Sequence, residues 1–212
     1  VRSRRQRQMC KETDNIPINS SNGTTGVFGA VNITGIVKNL HIESSKVSIT
    51  SKSKSTAEGT SILVGRNKGK ILNCCVKECQ IAANPTKTNQ SANTGGIAGT
   101  STGEITNCYV TNTQIVYDAD SKIKAEPAGG IAGSIQTQGL ITNCYSANNI
   151  IKNRESYNGG ICGKALDGAH IENCYVYNID LITTKGLFAG IAANSFFIHN
   201  YYCLLYTSPS PR

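Results

Sequence analysis

The stretch GGIAGTSTGEITNCYV, residues 95–110, returns twice with small edits: as GGIAGSIQTQGLITNCYS from residue 129 and as GGICGKALDGAHIENCYV from residue 159. Recurrence of a whole phrase is the signature of a repeat architecture, in which one supersecondary unit stacks on the next. Aligned on the Asn before the Cys, the units are KILNCCV (Asn73), EITNCYV (Asn107), LITNCYS (Asn143) and HIENCYV (Asn173). Weaker copies flank them at GIVKNLHI (Asn39) and FIHNYYC (Asn200), and the intervals run 34, 34, 36, 30 and 27 residues. Loops of variable length between intact motifs are what stacked coils tolerate.

Each unit has the same internal order. A small-residue run (Gly95, Gly96, Ile97, Ala98, Gly99) leads through a polar turn and Gly103 to EITNCYV and a further apolar point, Ile115; the corresponding points are Ile81, Ile150 and Leu181. Short β-branched runs bounded by Gly and Asn read as strands, and no stretch carries a sustained helical stripe. Were EIT to continue straight into NCYV, Ile105 and Cys108 would face opposite sides, because side chains alternate along a strand. One left-handed residue at Asn107 turns Ile105, Cys108 and Val110 all inward, and Asn tolerates that conformation better than most residues with a side chain. Stacked Asn amides can also hydrogen-bond from coil to coil. The repeated Asn is therefore expected at a corner, and the Gly-Gly pairs where the chain bends sharply or coils crowd. The expected fold is all-β, a parallel β-solenoid of the right-handed β-helix type with about six coils and two or three short strands per coil. A β-propeller blade needs four strands per repeat, which these units do not supply.

GGIAGTSTGEITNCYV and SILVGRNKGKILNCCV resemble the GLUG repeat, whose pattern runs roughly G-G-L-V-G-x-N-x-G-x-I-x-N-C/S-Y-A. Four copies match well and two flanking ones are degenerate, so the resemblance covers nearly all of residues 26–202. It implies a large surface-exposed or secreted protein, adhesin-like, and brings no catalytic residues to transfer. This chain has Ala98, Ala132 and Cys162 where the repeat commonly has Val, which should narrow the coil there.

Both ends of the chain read differently from its middle. CLLYTSPSPR (203–212) and RRQRQMCKET (4–13) resemble translated sequencing adapters, which places the domain at 14–202, with 1–13 and 203–212 non-native and the domain a fragment of a larger protein. Setting the ends aside leaves 15 basic and 12 acidic residues, so the formal charge falls from +8 to +3 and the argument for a nucleic-acid partner goes with it. No apolar run approaches the ~18–20 residues of a membrane span.

Seven cysteines lie within 14–202, four of them (Cys74, Cys108, Cys144, Cys174) at one repeat position. They read either as a column of buried thiols acting as small apolar spacers or as a disulfide framework. Parallel Cβ vectors between in-register coils suit a disulfide poorly, while Cys75 or Cys79 remains free to pair locally. Cys74, Cys75 and Cys79 lack the spacing of a zinc site, and His41, His170 and His199 are scattered as strand residues, so neither metal nor cofactor is expected. A glycosidase or lyase needs carboxylates converging on one face; the sparse acids Asp118, Asp120, Asp167, Glu172 and Asp180 fall in two separate regions, and no catalytic residue is nominated.

Two features suggest recognition instead. Tyr109, Tyr145 and Tyr175 follow the Cys column and should face outward side by side. The polar insertions TSKSKSTAEGT, NPTKTNQSANT, DADSKIKAEPA and KNRESYN share one phase of the repeat and should emerge along a single edge. The expected function is an elongated spacer and binding segment of a cell-surface or secreted adhesin-like protein. Its expected partner is a glycan or a protein on a host or neighbouring cell surface, with no nucleic acid and no membrane span. The alternative is a carbohydrate-active β-helix enzyme whose active site lies partly outside these residues.

Overall fold

In the computed structural model the described residues are 11–14, 17–20, 24–49, 58–83, 92–117, 127–152, 157–181 and 186–203. Residues 1–10 and 204–212, most of the adapter-like stretches 1–13 and 203–212, lie outside them, as do most of the four polar insertions with Asp118 and Asp120. Among the described residues every regular element is a short strand, and every pairing between strands is parallel.

The coil containing Asn107 shows the plan. It has five sides: Ala92–Gly95, Ala98–Ser101, Glu104–Thr106, Tyr109–Thr111 and Gln114–Tyr117. Each strand pairs in register with its counterparts in the coils above and below, so the sides become five sheets running along the stack. Four coils carry all five strands, and partial coils at both ends extend the sheets on sides two to five to six or seven strands. The fold is the expected parallel β-solenoid, with more strands per coil than the sequence suggested.

The difference has two causes. Five residues after each first corner the chain turns left-handed again, at Ser44, Glu78, Asn112, Asn148 and Asn178, all with φ of 45–53°. What reads as one strand after Asn107 is therefore two. The Gly-rich run is likewise split, with Ile97 buried at the bend between sides one and two. Small side chains hide that bend because they show no alternation.

The Gly crowding is real and has a specific geometry. A Cβ on Gly99 would fall on the backbone of Gly59 and Thr60, and one on Gly133 on the backbone of Asn93 and Thr94. The side-one strand of each coil thus lies directly on the side-two strand of the next, backbone to backbone. Only Gly allows two chains to approach so closely.

The core is a set of columns. Ile71, Ile105, Ile141 and Ile171 occupy one position on side three, and Ile81, Ile115 and Ile151 occupy another on side five; all are fully buried. Each buried Ile contributes on the order of 1.5–3 kcal/mol relative to exposure. The apolar point expected at Ile150 is in fact Ile151: Ile150 pairs with Gln114 at an outward position, while Ile151 pairs with Ile115. The narrow column holds Val64, Ala98, Ala132 and Cys162, all buried, so the small residues sit at the position where they were expected to thin the coil.

At the ends, Lys11–Asp14 pairs with Leu40–Glu43 and Tyr201–Cys203 pairs with Tyr175–Tyr177, so the ladder crosses the boundaries placed at residues 13 and 202. Cys203 is exposed.

Candidate functional site

The corner determines what faces solvent. Asn73, Asn107, Asn143 and Asn173 all have φ between 51° and 54°, as does the flanking Asn39 at 57°. Asn107 Nδ2 donates to Asn73 Oδ1 (3.1 Å) and Asn73 Nδ2 to Asn39 Oδ1 (3.2 Å), which is the expected amide ladder. At the C-terminal copy the register shifts by one: His199 takes the left-handed corner (φ 49°), and Asn200, aligned with the corner from its sequence, sits in the Cys position.

The residue after each corner points inward. Cys74, Cys108, Cys144 and Cys174 are buried free thiols, as are Cys79 and Cys162. They do more than fill space. The Cys74 N–H donates to Cys108 Sγ and the Cys108 N–H to Cys144 Sγ, both at 3.4 Å, while Cys108 Sγ donates back to Thr106 O at 3.2 Å. A bent backbone leaves its corner N–H without a carbonyl partner, and the thiol one coil away supplies a weak acceptor. Asn200 Oδ1 does the same for the Cys174 N–H at 2.8 Å. The second corner repeats the device with mixed chemistry: Cys79 Sγ accepts from the Ser45 N–H, Thr113 Oγ1 from the Cys79 N–H and Asn149 Oδ1 from the Thr113 N–H. Reading the Cys as an apolar spacer missed this acceptor role; the interchange of Cys, Thr and Asn after the second corner is the sequence signal for it. Burial pushes the Cys144 and Cys162 thiols up, and Cys79 to about 11, so these groups stay protonated at neutral pH.

Outward, side four forms a continuous stripe. His41, Cys75, Tyr109, Tyr145, Tyr175 and Tyr201 share one register position. The Tyr109 and Tyr145 rings stack with centroids 4.7 Å apart and planes 5° from parallel, and exposure rises through Tyr145 (38 %) and Tyr175 (40 %) to Tyr201 (65 %). Rings stacked this way spend their faces on each other and present edges and hydroxyls to solvent. Burial pushes the Tyr145 phenol up, which keeps it a hydrogen-bond donor. At the opposite end the same side turns ionic: Lys77 pairs with Glu43 and with Glu78 (3.2 Å), and His41 Nε2 lies 3.8 Å from Glu43 Oε2. The Lys77 hydrogen bond holds the Glu43 carboxyl below the usual carboxylate range.

The remaining candidates do not gather. Asp167 sits at the turn after side two, Glu172 on side three and Asp180 on side five, where it pairs with Lys152 at 3.6 Å. Cys75 faces the opposite way from Cys74. His41 and His170 are strand residues as expected, whereas His199 is a corner. The polar insertions all connect a side-five strand to the next side-one strand, and those anchoring strands line up along one edge.

Neither a curated protein nor a solved structure shows a significant match to the chain. The family model described as the GLUG motif matches residues 90–116, the coil built around Asn107. The chain is thus a parallel β-solenoid that carries the GLUG motif in this coil, with the same Asn-Cys corner repeated in the coils above and below it.

Proposed function

We propose that this chain is a repeat segment of a cell-surface or secreted adhesin-like protein, serving both as an elongated spacer and as a binding surface for a glycan or a surface protein of another cell. The observation that carries this reading is the outward tyrosine stripe on side four, which runs unbroken through four coils. An exposed row of aromatic edges and hydroxyls has no role inside its own coil, and such patches mark interaction surfaces. A solenoid supports the spacer role because each added coil lengthens the stack by only the strand spacing, about 4.8 Å, without changing its cross-section.

The test is binding of the chain to a glycan array and to intact cells, with Tyr145→Ala and Tyr175→Ala beside the wild type. Both variants keep the fold by circular dichroism and lose roughly tenfold or more in binding, as expected for truncated aromatic anchors. Binding that survives the loss of both rings moves the surface to the insertion edge, and turnover of a polysaccharide on the array replaces the adhesin reading with an enzymatic one.

A further inference from the structure

One turn in the molecule has the chemistry of a modification site. The first side-two strand, Phe28–Val31, is joined to the first side-three strand, Ile36–Lys38, by a tight turn in which the Gly35 N–H donates to Asn32 O at 2.8 Å. That turn reads Asn32-Ile33-Thr34, and all three residues are exposed, Ile33 by 81 %. Of the Asn-x-Ser/Thr triplets in the chain, it is the one whose three residues all lie among the described residues. The other asparagines contrast with it: Asn73, Asn107 and Asn178 donate their amides along the corner ladders, and Asn67 and Asn149 are buried with their amides bonded inside the coil. Both flanking strands are outermost in their sheets, so no further strand stands beside the turn among the described residues.

We propose that Asn32 is an acceptor for N-linked glycosylation. The triplet Asn-x-Thr is the required acceptor pattern when it stands on an accessible surface turn. In the reaction the Asn32 amide nitrogen bonds to the anomeric carbon of an oligosaccharide carried on a lipid pyrophosphate. The carbon–oxygen bond to phosphate breaks, the pyrophosphate leaves with that electron pair, and the nitrogen loses one proton to the transferase. The Thr34 hydroxyl is the group the transferase reads at the second position. The place of the turn also gives the sugar a task. Phe28 and Ile36, exposed by 39 % and 58 %, lie on the unpaired edge at either side of it, and a bulky solvated group there blocks strand addition to that edge.

The inference rests on the surface-or-secreted reading, since the donor lipid and its transferase act outside the cytosol. The experiment therefore supplies the export. The full chain is secreted from eukaryotic cells behind a foreign signal peptide, and its peptides are sequenced by mass spectrometry after enzymatic deglycosylation in heavy-oxygen water. The Asn32 peptide is expected to carry the Asn-to-Asp heavy-oxygen tag. Asn32→Gln and Thr34→Ala are each expected to remove that glycan, and Thr34→Ser to retain it. The triplets at 19–21, 22–24 and 89–91 serve as internal controls. A secreted chain with glycan on any of them and an unmodified Asn32 overturns the proposal, as does a secreted chain with none. Neither result touches the adhesin reading, which fails separately if the native chain does not reach the cell surface.

Discussion

At the scale of single residues, the corner asks two things of its two residues: a left-handed backbone and an inward acceptor. Asn107 meets the first with φ of 54°. Replacing it with Val, for which that conformation is a genuine outlier, should cost about 1–3 kcal/mol, whereas Gly should be tolerated far better; urea melts of the two variants check this. Cys108 meets the second by accepting the Cys74 N–H. Cys108→Ala leaves that buried donor unpaired and should cost about 1–3 kcal/mol. Cys108→Ser restores an acceptor and should lose less, following Thr113 after the second corner, which accepts the Cys79 N–H with a hydroxyl. Equal losses for Ala and Ser would reduce the thiol to a filler. The first corner was legible because Asn and Cys recur together. The second was not, because Ser44 and Glu78 take the left-handed place in two coils and break the pattern that Asn112, Asn148 and Asn178 establish.

At the scale of strands and sheets, neighbouring coils are tied by paired charges on their outward sides. Lys70 Nζ lies 2.8 Å from Glu104 Oε2 on side three, and Lys77 pairs with Glu43 on side four. The lysine hydrogen bond is in each case the main cause that holds the carboxyl below its usual range. A carboxylate depressed in the folded state adds stability above its unfolded pKa, about 4.3. That contribution is lost as pH falls through the lower folded value. Lys70→Met and Lys77→Met together should therefore flatten the acid limb of stability below about pH 4.3 and leave its shape near neutrality unchanged; denaturant midpoints between pH 7 and 3 measure it. Strand number was the least legible feature at this scale. Periodicity cannot show a bend between Gly95 and Ala98, where Ile97 is the single large side chain among glycines and alanine and has nothing to alternate with, whereas the separate buried columns through Ile105 and through Ile115 could be read directly.

For the whole molecule, the thiol column predicts indifference to redox conditions. The seven buried cysteines from Cys74 to Cys174 should resist alkylation in the folded chain and all react after unfolding, and thermal melts with and without reductant should coincide. Thiols shielded from solvent are out of reach of a soluble alkylating reagent. A mass deficit in the unreduced protein corresponding to paired cysteines would reinstate the disulfide framework. The axial stack has a mechanical consequence as well. Ladder hydrogen bonds run along the stack while the strands lie across it, so tension between the two ends loads one coil's bonds at a time. Each coil that peels releases about 34 residues, on the order of 110–120 Å of slack at full extension, in exchange for a lost rise of about 4.8 Å. A tether built this way yields in long, discrete steps, absorbing a pull one rung at a time while the coils behind it stay folded.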